Sequence, residues 1–174
     1  SKKVKFFQLR LKKVSIKKKV TIAKKILKIC KKNKVKFIIN DNPKLALKVN
    51  AHGCHLGQKD INILEAKKIL KNKIIGVTCH NSIKLARNAL LNGADYIALG
   101  AFYKTKTKKV IHKADVKILK KIKKSINLPI VAIGGINEKN YKKLLLNKAD
   151  FLAISGYIWN NKKLKPHKAI NKFV

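Results

Sequence analysis

Four kinds of residue are scarce in this 174-residue chain, and each scarcity excludes something. There are only seven Asp and Glu against 44 Lys and Arg, a formal net charge of +37. Only Arg10 and Arg87 are arginine, there is no methionine, and the three cysteines (Cys30, Cys54, Cys79) are odd in number and widely spaced. Such a cysteine set does not suggest a disulfide framework, and no CxxC or HxxxH spacing suggests zinc. No apolar run approaches the ~20 residues of a membrane-spanning helix. The first residues lack the charged, then apolar, then small pattern of a secretory signal, so cytoplasm is the expected compartment.

The arginine shortage also bears on the charge. Surfaces built to grip phosphate use arginine as well as lysine, because its planar fork binds phosphate and guanine bidentately. Lys, Asn and Ile share A/T-rich codons, so compositional drift accounts for the lysine surplus more simply than a selected polyanion surface. No specific nucleic-acid partner and no membrane partner are expected. Length predicts one domain over 1–174, and the 46% hydrophobic content suffices for a core.

Seven short apolar runs follow one another, at 4–11, 35–40, 53–57, 74–78, 96–100, 130–135 and 151–156. Most are apolar without alternation, as in parallel strands covered on both faces. The segments between them read as amphipathic helices. Lys24, Lys25, Lys28, Lys31 and Lys32 oppose Ile22, Ile26, Leu27 and Ile29; Lys117, Lys120, Lys121 and Lys124 oppose Ile118, Leu119 and Ile122. The lysines read as solvated outer faces. This order predicts an α/β fold, either an open doubly wound sheet or a TIM (β/α)8-type barrel with seven of its eight strands visible. The similar stretches ADYIALG (94–100) and ADFLAISG (149–156) favour the barrel. Asp95 and Asp150, which precede their strands, read as helix-to-strand loop residues.

Polar residues and glycines break each run at its carboxyl end, where parallel α/β folds build their sites. Gln8, Arg10 and Lys12 are spaced by two and share one side of a strand. They suit a diphosphate clamp or an ordinary basic strand equally well. Asp41 and Asp60 stand just past successive strands and suit Mg²⁺, which takes one or two carboxylates plus water and phosphate oxygens. The rival reading is that each caps the helix that follows it. Thr78 and His80 end the fourth run, and Gly100 opens a loop of hydroxyls and ammonium groups through Thr105, Thr107 and Lys108. Gly134-Gly135 and Ser155-Gly156 close the last two runs, where backbone N–H groups can approach a phosphate. Cys54 and Cys79 read as buried small hydrophobes, and His52 and His55 as structural.

Seven motifs in one order carry a resemblance: QLRLK (8–12), FIIND (37–41), GCHLGQKD (53–60), IIGVTCH (74–80), GADYIALGAFYKTKTKK (93–109), PIVAIGGIN (129–137) and ADFLAISGYI (149–158). Together they resemble the thiamine-phosphate synthase family, which also contains thiazole tautomerases. The resemblance implies an eight-fold barrel that joins a pyrimidine diphosphate to a thiazole phosphate with release of pyrophosphate, by way of a pyrimidine carbocation. It implies that Gln8, Arg10, Lys12, Asn40 and Lys108 bind the pyrimidine diphosphate, that Asp41 and Asp60 hold Mg²⁺, and that Thr78 lies near the pyrophosphate. Thr105 and Thr107, with backbone groups of Gly135, Ser155 and Gly156, would hold the thiazole phosphate. Arg10, Lys12, Thr78 and Lys108 are then the catalytic candidates.

Such chemistry needs no protein nucleophile, which accords with the lack of a triad or dyad. The chain departs from the family pattern at Leu11, where an acidic residue is usual, and at Gly156, where many members have serine. It also begins at what looks like the family's second strand. Two alternatives are a tautomerase using His80 as acid and base, and a degenerate polyanion-binding barrel.

Overall fold

The computed structural model describes residues 4–105 and 112–173. The chain divides into two compact units, residues 1–77 with 92–95, and residues 78–91 with 96–174. Among the described residues there are seven strands, as the run pattern predicts, separated by helices.

The first unit contains β1 (Phe6–Leu9), α1 (Ile16–Lys32), β2 (Lys36–Asn40), α2 (Pro43–Lys48), β3 (Gly53–Leu56), α3 (Ile63–Leu70) and most of β4 (Ile74–His80). Strands β1 to β4 pair in sequence order and in parallel, with Phe7 opposite Phe37, Ile39 opposite Cys54 and His55 opposite Gly76. Phe37, Ile38 and Ile39 are consecutive and all but wholly buried. That is possible only for a strand covered on both faces, and each such side chain contributes about 1.5–3 kcal/mol of burial. On α1 the buried stripe is Ala23, Leu27 and Cys30. Ile29, expected on the apolar face, is 63% exposed, because Cys30 occupies the inward position next to it.

The second unit contains the end of β4, α4 (Ile83–Leu91), β5 (Tyr96–Leu99), α5 (Lys117–Lys123), β6 (Ile130–Ile133), α6 (Tyr141–Leu146), β7 (Phe151–Ala153), α7 (Gly156–Trp159) and α8 (Pro166–Ile170). Strands β5, β6 and β7 pair in parallel, Ala98 opposite Val131 and Ala132 opposite Leu152. On α5, Leu119 and Ile122 are fully buried and Lys117, Lys120 and Lys121 are exposed, as is Lys124 just after the helix, in line with the spacing. No helix among the described residues is long and apolar enough to cross a membrane.

One device recurs in both units. The Ile75 N–H donates to Asp95 Oδ2 at 2.7 Å while the Asp95 N–H donates to the Ile75 carbonyl at 2.8 Å. Asp150 makes the same reciprocal pair with Ile130, at 2.7 and 2.9 Å. His52 supplies a third case, with Nδ1 accepting from the Phe37 N–H and its own N–H donating to the Phe37 carbonyl, both at 2.9 Å. In each, the residue just before one strand pins the beginning of the preceding strand. Asp95 and Asp150 are therefore helix-to-strand residues as expected, and each satisfies a strand-start N–H that the ladder leaves without a partner.

Two outcomes follow. Asp150→Ala removes a charged acceptor for Ile130 and costs about 1–2 kcal/mol, readable as a lower midpoint in urea. The half-exposed Lys123–Asp150 ion pair at 2.8 Å adds little to that loss. His52 must be neutral for Nδ1 to accept. Burial, and then Lys36, Lys31 and Lys73, push its pKa below the ordinary 6.5. The unfolded chain then takes up the proton first, so this contribution to stability is lost as pH falls through about 6.5 toward the folded value. In His52→Asn, whose side-chain oxygen accepts without titrating, urea midpoints measured between pH 8 and pH 5 show a shallower acid decline than in the wild type.

Candidate functional site

The carboxyl ends of the strands in each unit carry the polar residues that the sequence singles out. In the first unit, β1 stops at Leu9, so only Gln8 of the Gln8, Arg10, Lys12 series lies on the strand. Arg10 and Lys12 follow in the exposed segment beyond it, a correction to the single-strand reading, because the ladder with β2 ends at Leu9 opposite Ile39. Gln8 Nε2 donates to Asn40 Oδ1 at 2.5 Å, joining the ends of β1 and β2. Two residues 32 positions apart, both implied to bind the same substrate, are thus in direct contact.

Asp41 follows Asn40 with φ of 64°, a left-handed conformation that Asp tolerates better than most residues. Its N–H donates to the His55 carbonyl at 2.8 Å. Asp60 closes a tight turn, its Oδ2 accepting from the Gly57 N–H at 2.7 Å. The capping alternative fails for both carboxylates. Asn42 caps α2 through the Leu45 N–H at 2.8 Å, and Asn62 caps α3 through the Glu65 N–H at 2.9 Å. Each helix start is already satisfied by an amide, a contribution of about 1 kcal/mol. Neither carboxylate is the cap of the helix that follows it, and one or two carboxylates are the donor chemistry that Mg²⁺ takes. No group of three or more His, Cys, Asp or Glu among the described residues could hold a metal, so any ion here relies on oxygen donors beyond these side chains.

In the second unit, β4 runs on to His80, which places Thr78 inside the strand and not at its end. Thr78 and His80 share one side and are half-buried, while Cys79 points the other way and is fully buried. His80 faces a residue that the sequence did not bring forward: its ring lies 4.5 Å from that of His112. The two histidines, with Asn81, Ser82, Leu85 and Lys113, line an open depression of about 430 Å³. No spacing signal links positions 80 and 112, so only the chain path brings them together. Thr107 and Lys108 lie outside the described residues.

The remaining candidates of this unit are loop groups. Thr105 is half-buried in the segment after β5. After β6, Gly134 and Gly135 have φ of 94° and 67°. A Cβ on Gly135 would meet the Lys104 carbonyl oxygen at 2.4 Å, so the loops after β5 and β6 touch where only glycine fits. Among the described residues nothing accepts from the Gly135 N–H. Ser155 is the exposed residue before α7, which Gly156 opens. The Tyr157 hydroxyl donates to Glu138, and that bond, ahead of burial and the Glu138 charge, pushes its pKa up to about 12. The loop after β6 is thereby tied to α7.

The cysteines do no chemistry at these strand ends. Cys54 and Cys79 are fully buried, which pushes both thiols up to about 12, and burial raises Cys30 as well. Folded protein at pH 8 therefore leaves all three unmodified by a disulfide thiol reagent, and three react after unfolding in guanidinium; rapid labelling of the native state would contradict the packing.

Comparison with known proteins bears on the whole chain. The family model described as thiamine monophosphate synthase matches residues 1–158. A thiamine-phosphate synthase of Pelagibacter ubique is 69% identical over 172 residues, covering 99% of this chain and 83% of that protein. One from Clostridium tetani is 43% identical over 159 residues, covering 91% and 76%. Among solved structures, a thiamine phosphate pyrophosphorylase from Pyrococcus furiosus superposes with a TM-score of 0.87 at 31% identity, covering 97% of this chain and 80% of that one.

Proposed function

This chain belongs to the thiamine monophosphate synthase family, and from that premise we infer how its strand ends perform the reaction. It is a transferase that couples a hydroxymethylpyrimidine diphosphate with a thiazole phosphate, giving thiamine phosphate and pyrophosphate. The carrying observation is 69% identity to a synthase over 99% of the chain. The same relatives set aside the tautomerase and the degenerate polyanion binder. The (β/α)8-type barrel is the architecture that goes with this reading, supported by the repeated parallel strand-helix order in each unit.

In the coupling, the bond between the pyrimidine methylene carbon and the diphosphate oxygen breaks and its electron pair leaves with the diphosphate. The thiazole nitrogen then supplies the pair for the new C–N bond. Charge grows on the departing diphosphate, so cationic groups that hold it lower the barrier; one well-placed donor is worth about 3 kcal/mol by analogy with oxyanion sites. In the first unit Arg10 and Lys12 fill that role, with the hydrogen-bonded pair Gln8 and Asn40 orienting the pyrimidine diphosphate. Lys108 and Thr78 belong to the same role by resemblance. Asp41 and Asp60 would hold Mg²⁺, which would neutralise diphosphate oxygens when bound. In the second unit, Thr105, Thr107 and the backbone of Gly135, Ser155 and Gly156 receive the thiazole phosphate. The arrangement asks for no general base, because the thiazole nitrogen carries its own electron pair.

The test uses the purified chain with both phosphorylated substrates and Mg²⁺. Pyrophosphate appears in step with thiamine phosphate, and chelation with EDTA abolishes both; no product from folded protein overturns the assignment. Asp60→Asn keeps an acceptor for the Gly57 N–H while removing the charge, so turnover falls by about 100-fold or more without a change in thermal midpoint. Unaltered turnover in that variant removes Asp60 from the metal site.

A further inference from the structure

The glycine turn after β6 is held by two residues that the family resemblance does not bring forward. Tyr103, in the loop after β5, donates its N–H to the Gly134 carbonyl at 3.1 Å and its hydroxyl to the Asn140 carbonyl at 3.1 Å. Asn140 donates from Nδ2 to the Gly135 carbonyl at 3.1 Å, and its Oδ1 accepts from the Asn137 N–H at 2.9 Å. Asn140 is the residue before α6 yet makes no side-chain cap to that helix. Its amide is spent wholly on the turn.

These bonds fix the directions of two peptide planes. In a trans peptide the C=O and the N–H point opposite ways. Tyr103 holds the carbonyl of the 134–135 peptide, so the Gly135 N–H is turned away from Tyr103. Asn140 holds the carbonyl of the 135–136 peptide, so the Ile136 N–H is turned away from Asn140. Among the described residues neither N–H has an acceptor. The same Tyr103 segment runs directly into Thr105, and its backbone already abuts Gly135. Tyr103, through its backbone N–H and its hydroxyl, and Asn140, through its amide, therefore tie the segment leading into Thr105 to the glycine turn.

We propose that Asn140 and Tyr103 are positioning residues for the thiazole phosphate, aiming the consecutive N–H groups of Gly135 and Ile136 at it and locking the Thr105 loop beside them. This rests on the synthase reading and adds Ile136 as a phosphate donor. Neither side chain touches the reacting atoms. Their loss loosens one substrate and leaves the diphosphate side untouched.

The experiment compares wild type with Asn140→Ala and with Tyr103→Phe, which retains the ring, its packing and the backbone bond to Gly134 and removes only the hydroxyl bond to the Asn140 carbonyl. Each variant raises KM for the thiazole phosphate about five- to tenfold, the value of one or two hydrogen bonds. KM for the pyrimidine diphosphate stays within about twofold, and far-UV thermal midpoints stay close to wild type. Titration calorimetry with the thiazole phosphate alone shows the same weakening. An unchanged thiazole phosphate KM and affinity in both variants overturns the proposal, as does an equal rise in both KM values with a lowered midpoint, which marks a structural role. Failure of the synthase reading is read separately: wild type then gives no product, whatever the calorimetric difference between wild type and Asn140→Ala.

Discussion

Everything at the strand ends depends on where the strands begin. A parallel ladder leaves the first N–H of a strand without a partner, and an unsatisfied N–H near the core costs about as much as a lost hydrogen bond. This chain answers with an acceptor side chain placed just before a neighbouring strand: His52 for Phe37, Asp95 for Ile75 and Asp150 for Ile130. Each pin is reciprocal, so it fixes register as well as satisfying a donor. With register fixed at one end, the polar residues at the other end fall at defined heights. The Gln8–Asn40 contact in the first unit joins β1 to β2, and the Tyr103–Gly134 contact in the second joins the loops after β5 and β6, so these bonds tie strand ends that the pins themselves do not join.

The scarcity of acidic residues makes their placement informative. Seven carboxylates are set against 44 cations, so each is surrounded by potential partners, yet several are spent on backbone and hydroxyl donors. Asp95 and Asp150 pin strand starts, Asp115 accepts from the Lys117 N–H ahead of α5, and Glu138 takes the Tyr157 hydroxyl. Helix capping at α2 and α3, which would have consumed Asp41 and Asp60, falls to the amides Asn42 and Asn62 instead. An uncharged cap satisfies the same N–H groups without using the nearby carboxylate. In a chain this basic, that division of labour keeps two of the seven carboxylates just beyond β2 and β3 without using them as helix caps.

In the second unit the loops after successive strands are tied to each other and not merely to their own strands. Tyr103 reaches Asn140 across the loops after β5 and β6, and Tyr157 of α7 reaches Glu138 in the loop after β6. Phe173, beyond α8, packs edge-on against Tyr141 and Tyr157 with ring centroids 5.2 and 5.4 Å away. Such edge-on aromatic pairs add about 0.5–1.5 kcal/mol each beyond burial. A phosphate bound by backbone N–H groups needs those groups held still, since a mobile donor gives up in entropy what it gains in contact.

Strand number, parallel order, the lysine-faced helices, buried thiols and the structural roles of His52, Asp95 and Asp150 were all legible in the amino-acid order. They follow from periodicity and from chemistry local to a few residues. The family could be read from seven short motifs for the same reason: each is a strand and its end. What needed the tertiary structure was every relation across long separations. Periodicity said nothing of which neighbour would cap α2 and α3, since Asp-Asn and Asp-Ile-Asn both offer a capping oxygen and backbone geometry chooses between them. It placed Arg10 on a strand that ends one residue earlier, because a ladder's length is set by its partner. It could not pair His80 with His112, or Asn140 with Tyr103, because a hydrogen bond or ring contact between residues about 30 or more apart is decided by how the chain folds back and leaves no trace in local spacing.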